Sequence, residues 1–512
     1  MSDKTLSIAI FLVLIAVTLV ITSVTARRVK TDKDFYAAGR QIKGWQNGLA
    51  IAGEFMASAA FLGIAGLIAF YGIDAQIYSI CWFASFFIVL VLVAEVIRNS
   101  GRFTFADIVS YRLKSAAIRP VISIAVLIVS IVYLIPQMVA AGALSKLLFG
   151  IDATWGILIV GILMVLYITV GGMVAATWIQ SIKAVLLLSC GILLALLTLS
   201  HFHFSIDEFF GAVATAPSLA QSWLEPGGWL KNPLERYSLG FGLLFGTAAM
   251  PHVIMRFYTV RTKKQARSSA MWTMTFMGIF HVLTFIFGLG AAVLVGPDII
   301  RAFDSGGNAA TPLLAQAVAG GEGSLTGALF MAVVVAVAFI TIIAAVSGLC
   351  IAASSAFSYD FWFNVVKKGK QTPKEQVRTA RLSAIAIGFI AIGCALALQT
   401  SNVAYLSGLA FALAATVNLP AIVLALFWKG FTTKGALIGI IGGTIVAVFS
   451  VVAGPQVMGA NAIFPLQNPG LITIPIGFAL TFVASLATKD KEAERKYQEL
   501  SVRSQSGLGS EK

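Results

Sequence analysis

Charged residues are scarce in this chain of 512 residues. Asp, Glu, Lys and Arg together make up 11% of it, while hydrophobic residues make up 58%. A typical soluble protein carries about 25% charged residues. The composition therefore excludes a water-soluble protein and predicts an all-α, polytopic membrane protein.

Other absences exclude further classes of protein. The sequence has no P-loop, so ATP hydrolysis is not expected to drive it. Its four cysteines, Cys81, Cys190, Cys350 and Cys394, each lie alone in an apolar run, without the spacing of a metal site. No Ser/His/Asp set is visible at membrane depth, so an enzyme is not expected. The net charge of +14 does not predict a nucleic-acid partner, because the basic residues lie between apolar runs.

Thirteen apolar runs have a length that crosses a bilayer. They are 6–25, 48–71, 76–97, 119–149, 154–172, 177–199, 237–254, 269–296, 326–356, 379–399, 404–428, 435–453 and 470–487. The separation of the fifth run from the sixth depends on Gly171-Gly172 and Trp178. The first run is expected to be a retained helix, although its flanks would also suit a cleaved signal peptide.

The distribution of basic residues predicts the orientation. With the N-terminus outside, 31 of the 36 lysines and arginines fall in cytoplasmic segments, and positive loops stay cytoplasmic. The C-terminus is then inside, with a polar tail over residues 489–512 that is expected to be flexible. No lysine or arginine is expected near the centre of a span, and Lys146 and Lys183 are expected to snorkel from helix ends.

Glycines interrupt two of the predicted spans. They are Gly48, Gly53, Gly63 and Gly66 in the second span, and Gly240, Gly242 and Gly246 in the seventh. Glycine in a spanning helix is often only a packing contact. Two interrupted helices in corresponding positions of two five-helix halves, however, predict an inverted-repeat secondary transporter whose site lies at the breaks.

The break in the second span predicts an anion site. An unwound segment over residues 55–60 would start a half helix near Ala57, with its positive end at the midplane. The candidate substrate contacts are Ala57, Ser58, Ala59, Thr247 at the second break, and Gln137 in the fourth span. The two hydroxyls could instead bond to their own backbone, and Gln137 could repair backbone freed by Pro136. The lining of Ala, Gly, Met and Phe suits a short, largely apolar acid.

Several motifs resemble the sodium:solute symporter family. They are Asp34-Phe-Tyr-Ala-Ala-Gly-Arg40, the glycine-rich second span and Ser354-Ser-Ala-Phe-Ser-Tyr-Asp360. The segments Gly44–Gly53, Phe61–Gly66, Thr104–Asp107 and Val160–Tyr167 resemble the acetate and short monocarboxylate permease branch of that family.

The resemblance implies a LeuT-like fold of two inverted five-helix repeats, with one extra N-terminal and two extra C-terminal helices. The implied divisions are 1–47 (first helix and basic loop), 48–428 (transport core, with repeats 48–199 and 237–428), 429–488 (two accessory helices) and 489–512 (tail). It also implies a bacterial inner (plasma) membrane.

The resemblance further implies a sodium site. Carried over by position, its carbonyl ligands are those of Gly53, Met56 and Thr341, and its hydroxyl ligands fall on Ala344 and Ala345. Alanine supplies no side-chain oxygen, so this sequence departs from the family pattern. Thr341 and Ser347 could supply replacements.

The departure leaves sodium and proton both open as the coupling ion. Glu54, near the middle of the second span, could carry a proton, because burial disfavours the charged form of a carboxyl. It could also be a structural carboxylate that bonds to backbone or a hydroxyl.

The expected function is secondary active symport of acetate or another short-chain monocarboxylate with Na⁺ or H⁺. The alternatives are symport of another small solute, such as an amino acid or a sugar, and a passive anion channel. No cofactor besides the coupling ion is expected, and the partners are the small carboxylate and the lipid bilayer. The oligomeric state is left open and is compatible with a monomer.

Overall fold

A computed structural model describes positions 8, 9, 12, 13, 16, 17 and 20, and residues 37–168, 173–216 and 223–508. Most of the first predicted span, the start of the Asp34 motif and the Gly171-Gly172 break lie outside the described residues. Within them the regular secondary structure is helical, apart from one isolated β-bridge between Ile42 and Val260.

The α-helices from residue 44 onward are numbered in chain order. They are α1 (Gly44–Phe55), α2 (Ala65–Tyr71), α3 (Ile77–Ile88), α4 (Ala94–Ser100), α5 (Phe105–Arg112), α6 (Ile118–Phe149), α7 (Ala153–Ile168), α8 (Met173–Ser200), α9 (Ile206–Thr215), α10 (Pro233–Gly246), α11 (Pro251–Phe257), α12 (Lys263–Leu294), α13 (Pro297–Phe303), α14 (Ala310–Val318), α15 (Leu325–Ser355), α16 (Pro373–Ala397), α17 (Val403–Phe427), α18 (Thr433–Val452), α19 (Pro455–Met458), α20 (Gly470–Leu486) and α21 (Lys491–Ser506). A π-helical segment, Ala59–Ile64, leads into α2, and a 3₁₀ turn, Thr247–Ala249, follows α10.

Eight helices in the described part of the chain are long and apolar enough to cross a membrane, or up to ten if each of two bent pairs counts as one span. The predicted count of thirteen is not confirmed. One reason is that Ala59–Ser100, which includes parts of the second and third predicted spans, counts as a single candidate span, although the backbone turns at Gly72 (φ 61°). Another is that the first and fifth predicted spans lie only partly among the described residues.

Both helices that were predicted to be broken are broken. α1 ends at Phe55, and the chain makes a turn at Met56 and Ala57 before it continues as the π-helical segment. The bend between α10 with its 3₁₀ turn and α11 is 40°. Met250 is extended there (φ −72°, ψ 122°), because the ring of Pro251 disfavours the α conformation of the preceding residue.

Helix α17 forms a wall that is common to the two breaks. It packs against both the π-helical segment and the 3₁₀ turn, and it is buried along almost its whole length. Gly246 lies directly against the backbone carbonyl of Phe411, where any Cβ atom would collide. The absence of a side chain at Gly246 therefore lets the second break approach α17.

The polar tail is folded, so the expectation of a flexible tail is wrong for Lys491–Ser506. The carboxylate of Asp490 caps α21 by accepting a hydrogen bond of 3.0 Å from the amide of Ala493. Ala493 and Leu500 are buried, and the helix packs against α4 and α5. These two apolar residues, separated by two helical turns, give the tail one face that can dock.

Candidate functional site

The first break begins a new half helix at the predicted position. The amide of Phe61 donates to the carbonyl of Ala57 at 3.0 Å. Ala57, Ser58 and Ala59 are buried. The amides at the start of a helix have no partner within it, so this end of the π-helical segment can accept an anion.

The structure brings two of the predicted substrate contacts together. The hydroxyl of Ser58 donates to Oε1 of Gln137 on α6 at 2.8 Å, and both side chains are buried. Thr247 lies at the second break, where its hydroxyl accepts a bond of 2.7 Å from Ser85. The substrate roles of these residues stay predictions, but Ser58 and Gln137 do not bond only to their own backbone.

An aromatic cluster that the sequence did not predict surrounds the breaks. Its members are Phe55, Trp82, Tyr133, His252 and Phe411. The imidazole of His252 stacks on Tyr133 with ring centroids 5.2 Å apart, and it lies 6.5 Å from the ring of Phe55 across the breaks. His252 directly follows Pro251 at a predicted break. This position was the signal in the sequence that could have identified His252 as a site residue.

Two polar atoms of this cluster have no hydrogen-bond partner in the described part of the chain. They are Nε2 of His252 and Nε1 of Trp82, on side chains that are 3% and 1% exposed. An unpaired buried polar atom costs about 1–3 kcal/mol. A ligand that offers acceptor atoms here would offset that cost.

Glu54 forms a buried ion pair, in contrast to the expectation that no arginine lies near mid-span. Its Oε2 is 3.3 Å from Nε of Arg256, and each side chain is 1% exposed. Arg256 also donates to the hydroxyl of Thr177 at 2.9 Å. The predicted seventh span, 237–254, ends before Arg256, so this arginine was assigned to a cytoplasmic segment, whereas it lies in the last turn of α11. The pair joins the two broken helices directly.

The α15 carbonyl predicted to hold sodium, that of Thr341, and the carbonyl of Ala344 both accept hydrogen bonds from side chains. Nζ of Lys183 donates to the carbonyl of Thr341 at 2.8 Å. The side-chain amide of Gln180 and the hydroxyl of Ser347 donate to the carbonyl of Ala344, at 2.8 Å and 2.7 Å. Lys183 is fully buried, so the expectation that it snorkels from a helix end is wrong.

The remaining predicted cation ligands are buried. Gly53 on α1 packs against the backbone carbonyl of Gln180, and Met56, Ala344 and Ala345 are buried. The Thr341 hydroxyl donates to the carbonyl of Ala338 at 2.7 Å. The carbonyls of Thr341 and Ala344 thus each accept a hydrogen bond from a side chain of α8.

The chain matches the family model described as the sodium:solute symporter family over residues 35–443. It is 43% identical over 508 residues to the uncharacterized symporter YwcA of Bacillus subtilis (strain 168), an alignment that covers 98% of each chain.

Two solved structures have a similar fold. One is a Na⁺-coupled sialic acid symporter in a substrate-bound, outward-open state, with a TM-score of 0.74, 18% identity and coverage of 94% of this chain and 98% of that one. The other is a manganese transporter of Eremococcus coleocola, with a TM-score of 0.54, 10% identity and coverage of 94% and 100%. The predicted LeuT-like transporter architecture is supported by these likenesses, which at such identities concern the fold alone.

Proposed function

Since the chain belongs to the sodium:solute symporter family, we propose that it takes up acetate or another short-chain monocarboxylate together with a coupling cation, Na⁺ or H⁺. Membership of that family makes it a multi-span membrane transporter of a small solute and not an enzyme. The proposal concerns the identity of the solute and the way in which its carboxylate is held.

The unpartnered N–H groups at the breaks are the observation that carries the proposed solute class. The indole N–H of Trp82 and Nε2 of His252 belong to one aromatic cluster and both lack an acceptor among the described residues. We propose that one carboxylate accepts from both, with the imidazole proton of His252 on Nε2. A sugar brings many hydroxyls, and among these rings most of them would be buried without partners, at a cost in free energy.

The neighbouring backbone and rings suit the carboxylate and the alkyl chain of a small acid. The start of the half helix at Ala57 offers backbone amides and a positive dipole end to the carboxylate. The rings of Phe55 and Phe411, with centroids 5.8 Å apart, offer apolar surface to a short alkyl chain. The bond between Ser58 and Gln137 fixes the orientation of the Ser58 hydroxyl at the edge of this region.

The proposal also includes the position of this site in the chain and in the membrane. Every residue named for the site belongs to the transport core of residues 48–428. We place the protein in the plasma membrane with its N-terminus outside and its C-terminus in the cytoplasm, as the distribution of basic residues indicates. Cation and acid bind at the midplane, and rocking of the two repeats exposes them to the other side.

The variant His252→Phe tests the proposed carboxylate contact. A hydrogen bond to a charged group contributes about 1.5–3 kcal/mol, so we expect KM for labelled acetate to rise by about tenfold or more. The matched control is His281→Phe on α12, because His281 is also buried without a partner for either ring nitrogen in the described chain but lies outside the aromatic cluster. We expect the control to transport normally.

Competition decides the solute class in the same assay. Propionate, pyruvate and lactate are expected to inhibit acetate uptake, whereas an amino acid and glucose are not. Inhibition by glucose or an amino acid alone would favour the symport of another small solute. Downhill acetate flux that is unaffected by an opposing cation gradient would favour a passive anion channel.

A further inference from the structure

The amine of Lys183 contacts a carbonyl that the family resemblance assigns to a sodium ion. Its Nζ is 2.8 Å from the Thr341 carbonyl, which is one of the three carbonyls predicted to bind sodium. The lysine side chain is fully buried. A buried ammonium is stable only where hydrogen bonds and opposite charge replace water, and the carbonyl provides one such bond.

Helix α8 fills this site with two side chains rather than one. Gln180 and Lys183 are three residues apart and therefore share a face of α8. They donate to Ala344 and Thr341 respectively, which are three residues apart on α15. The backbone of Gln180 also contacts Gly53 of α1. Donors of α8 thus occupy the space between α1 and α15, where a sodium ion would need free oxygens.

The net charge near the Thr341 carbonyl is consistent with a cation that is covalently part of the chain. Glu54 and Arg256 form a buried pair of opposite charges, so the pair itself adds no net charge. With its ammonium, Lys183 gives this group of three residues a net charge of +1. A sodium ion would give the same net charge to a chain that lacked the lysine.

We propose that Lys183 is a tethered cation that takes the place of sodium between α1 and α15. This inference deepens the proposed symport and rests on it. A sodium ion that drives transport in the parent protein then binds to other oxygens. Removal of the lysine side chain frees the Thr341 carbonyl and opens a site for a small monovalent cation.

The test is cation binding to Lys183→Ala, measured as a thermal shift of purified protein in nanodiscs. We expect Na⁺ and methylammonium to raise the Tm of this variant in a saturable way, because a ligand that binds only the folded state stabilises it. In the parent protein, neither cation should raise the Tm by binding at this site. Lys183→Met is the matched variant, since it fills the space without a charge and should gain no response.

Transport provides a second readout. We expect uptake by Lys183→Ala to fall by about 100-fold in choline buffer, as for the loss of a buried charged partner, and to recover with methylammonium. Lys146→Ala is the control, because Lys146 also donates to a backbone carbonyl, that of Phe303, but is exposed. This control should transport like the parent.

Two results would overturn the inference: equal cation responses of Lys183→Ala and the parent, or normal uptake by Lys183→Ala in choline. If Lys183→Ala is too unstable to purify, its yield should recover when methylammonium is present during solubilisation, and failure to recover counts against the inference. The thermal shift needs no substrate. If the parent protein does not transport acetate, the proposed solute is refuted. The thermal shift of Lys183→Ala would still decide whether Lys183 takes the place of sodium.

Discussion

The ion pair of Glu54 and Arg256 is a buried side-chain link between the two broken helices. The partners are 202 residues apart in the chain, and both are 1% exposed. The second carboxylate oxygen, Oε1 of Glu54, faces Gly348, where an added Cβ would lie 2.5 Å away. The glycine therefore leaves room for the carboxylate beside α15. Breaking a buried pair by removing one partner costs about 3–5 kcal/mol.

A double-mutant cycle tests this pair at the residue scale. We expect Glu54→Gln to destabilise the protein by about 3 kcal/mol, because the Arg256 guanidinium is left buried and unpaired. The double variant Glu54→Gln/Arg256→Gln should be less destabilised than the sum of the single variants, since it leaves no unpaired charge. The measurement is unfolding in detergent, followed by tryptophan fluorescence.

The matched control is Glu95→Gln. Glu95 pairs with Arg267 at 3.9 Å, but the two side chains are 34% and 63% exposed, so the loss should be at most about 1 kcal/mol. Strictly additive effects of Glu54→Gln and Arg256→Gln would contradict a direct interaction between these two residues.

At the scale of elements, a single arginine on α5 holds the end of α17. The guanidinium of Arg112 donates to the carbonyls of Leu424, Ala425, Trp428, Lys429 and Phe431. Because α17 ends at Phe427, its last carbonyls have no partner within the helix. Burial lowers the pKa of Arg112 to about 10, which leaves it charged at neutral pH. Arg112 also donates to the carbonyl of Ala493 on α21 at 3.3 Å.

The variant Arg112→Lys should loosen both helix ends. A lysine has three donors on one nitrogen and cannot span this set of carbonyls, so we expect a loss of about 2 kcal/mol and faster proteolysis within α21. Lys114→Ala is the control, because its pair with Glu492 is exposed and contributes little. Unchanged Tm and unchanged proteolysis of Arg112→Lys would contradict this role.

The broken helices could be predicted from the sequence, whereas the groups that fill the site could not. Pro251 acts locally, through the conformation of the preceding residue, so it marks a break without knowledge of the fold. The bond from Lys183 to Thr341 joins residues 158 positions apart. It depends on how α8 packs against α15, and no local pattern records that packing.

At the scale of the whole molecule, the broken helices, the aromatic cluster and the buried charges form one polar interior in an apolar bundle. The family match covers most of the chain, and the fold agrees with that of known symporters. The count of thirteen spans, the orientation and the domain divisions stay predictions. Hydropathy alone could not settle the count, because the described helices bend and continue through the predicted boundaries.

The accumulation of labelled acetate in proteoliposomes tests the central claim most directly. Uptake is measured with an inward Na⁺ gradient at equal pH, and separately with an inward proton gradient without Na⁺, after subtraction of empty liposomes, through which neutral acetic acid leaks. We expect accumulation above the equilibrium level with at least one gradient, and its loss when an ionophore collapses that gradient. Acetate that only equilibrates under both gradients would contradict cation-coupled uptake of a short monocarboxylate.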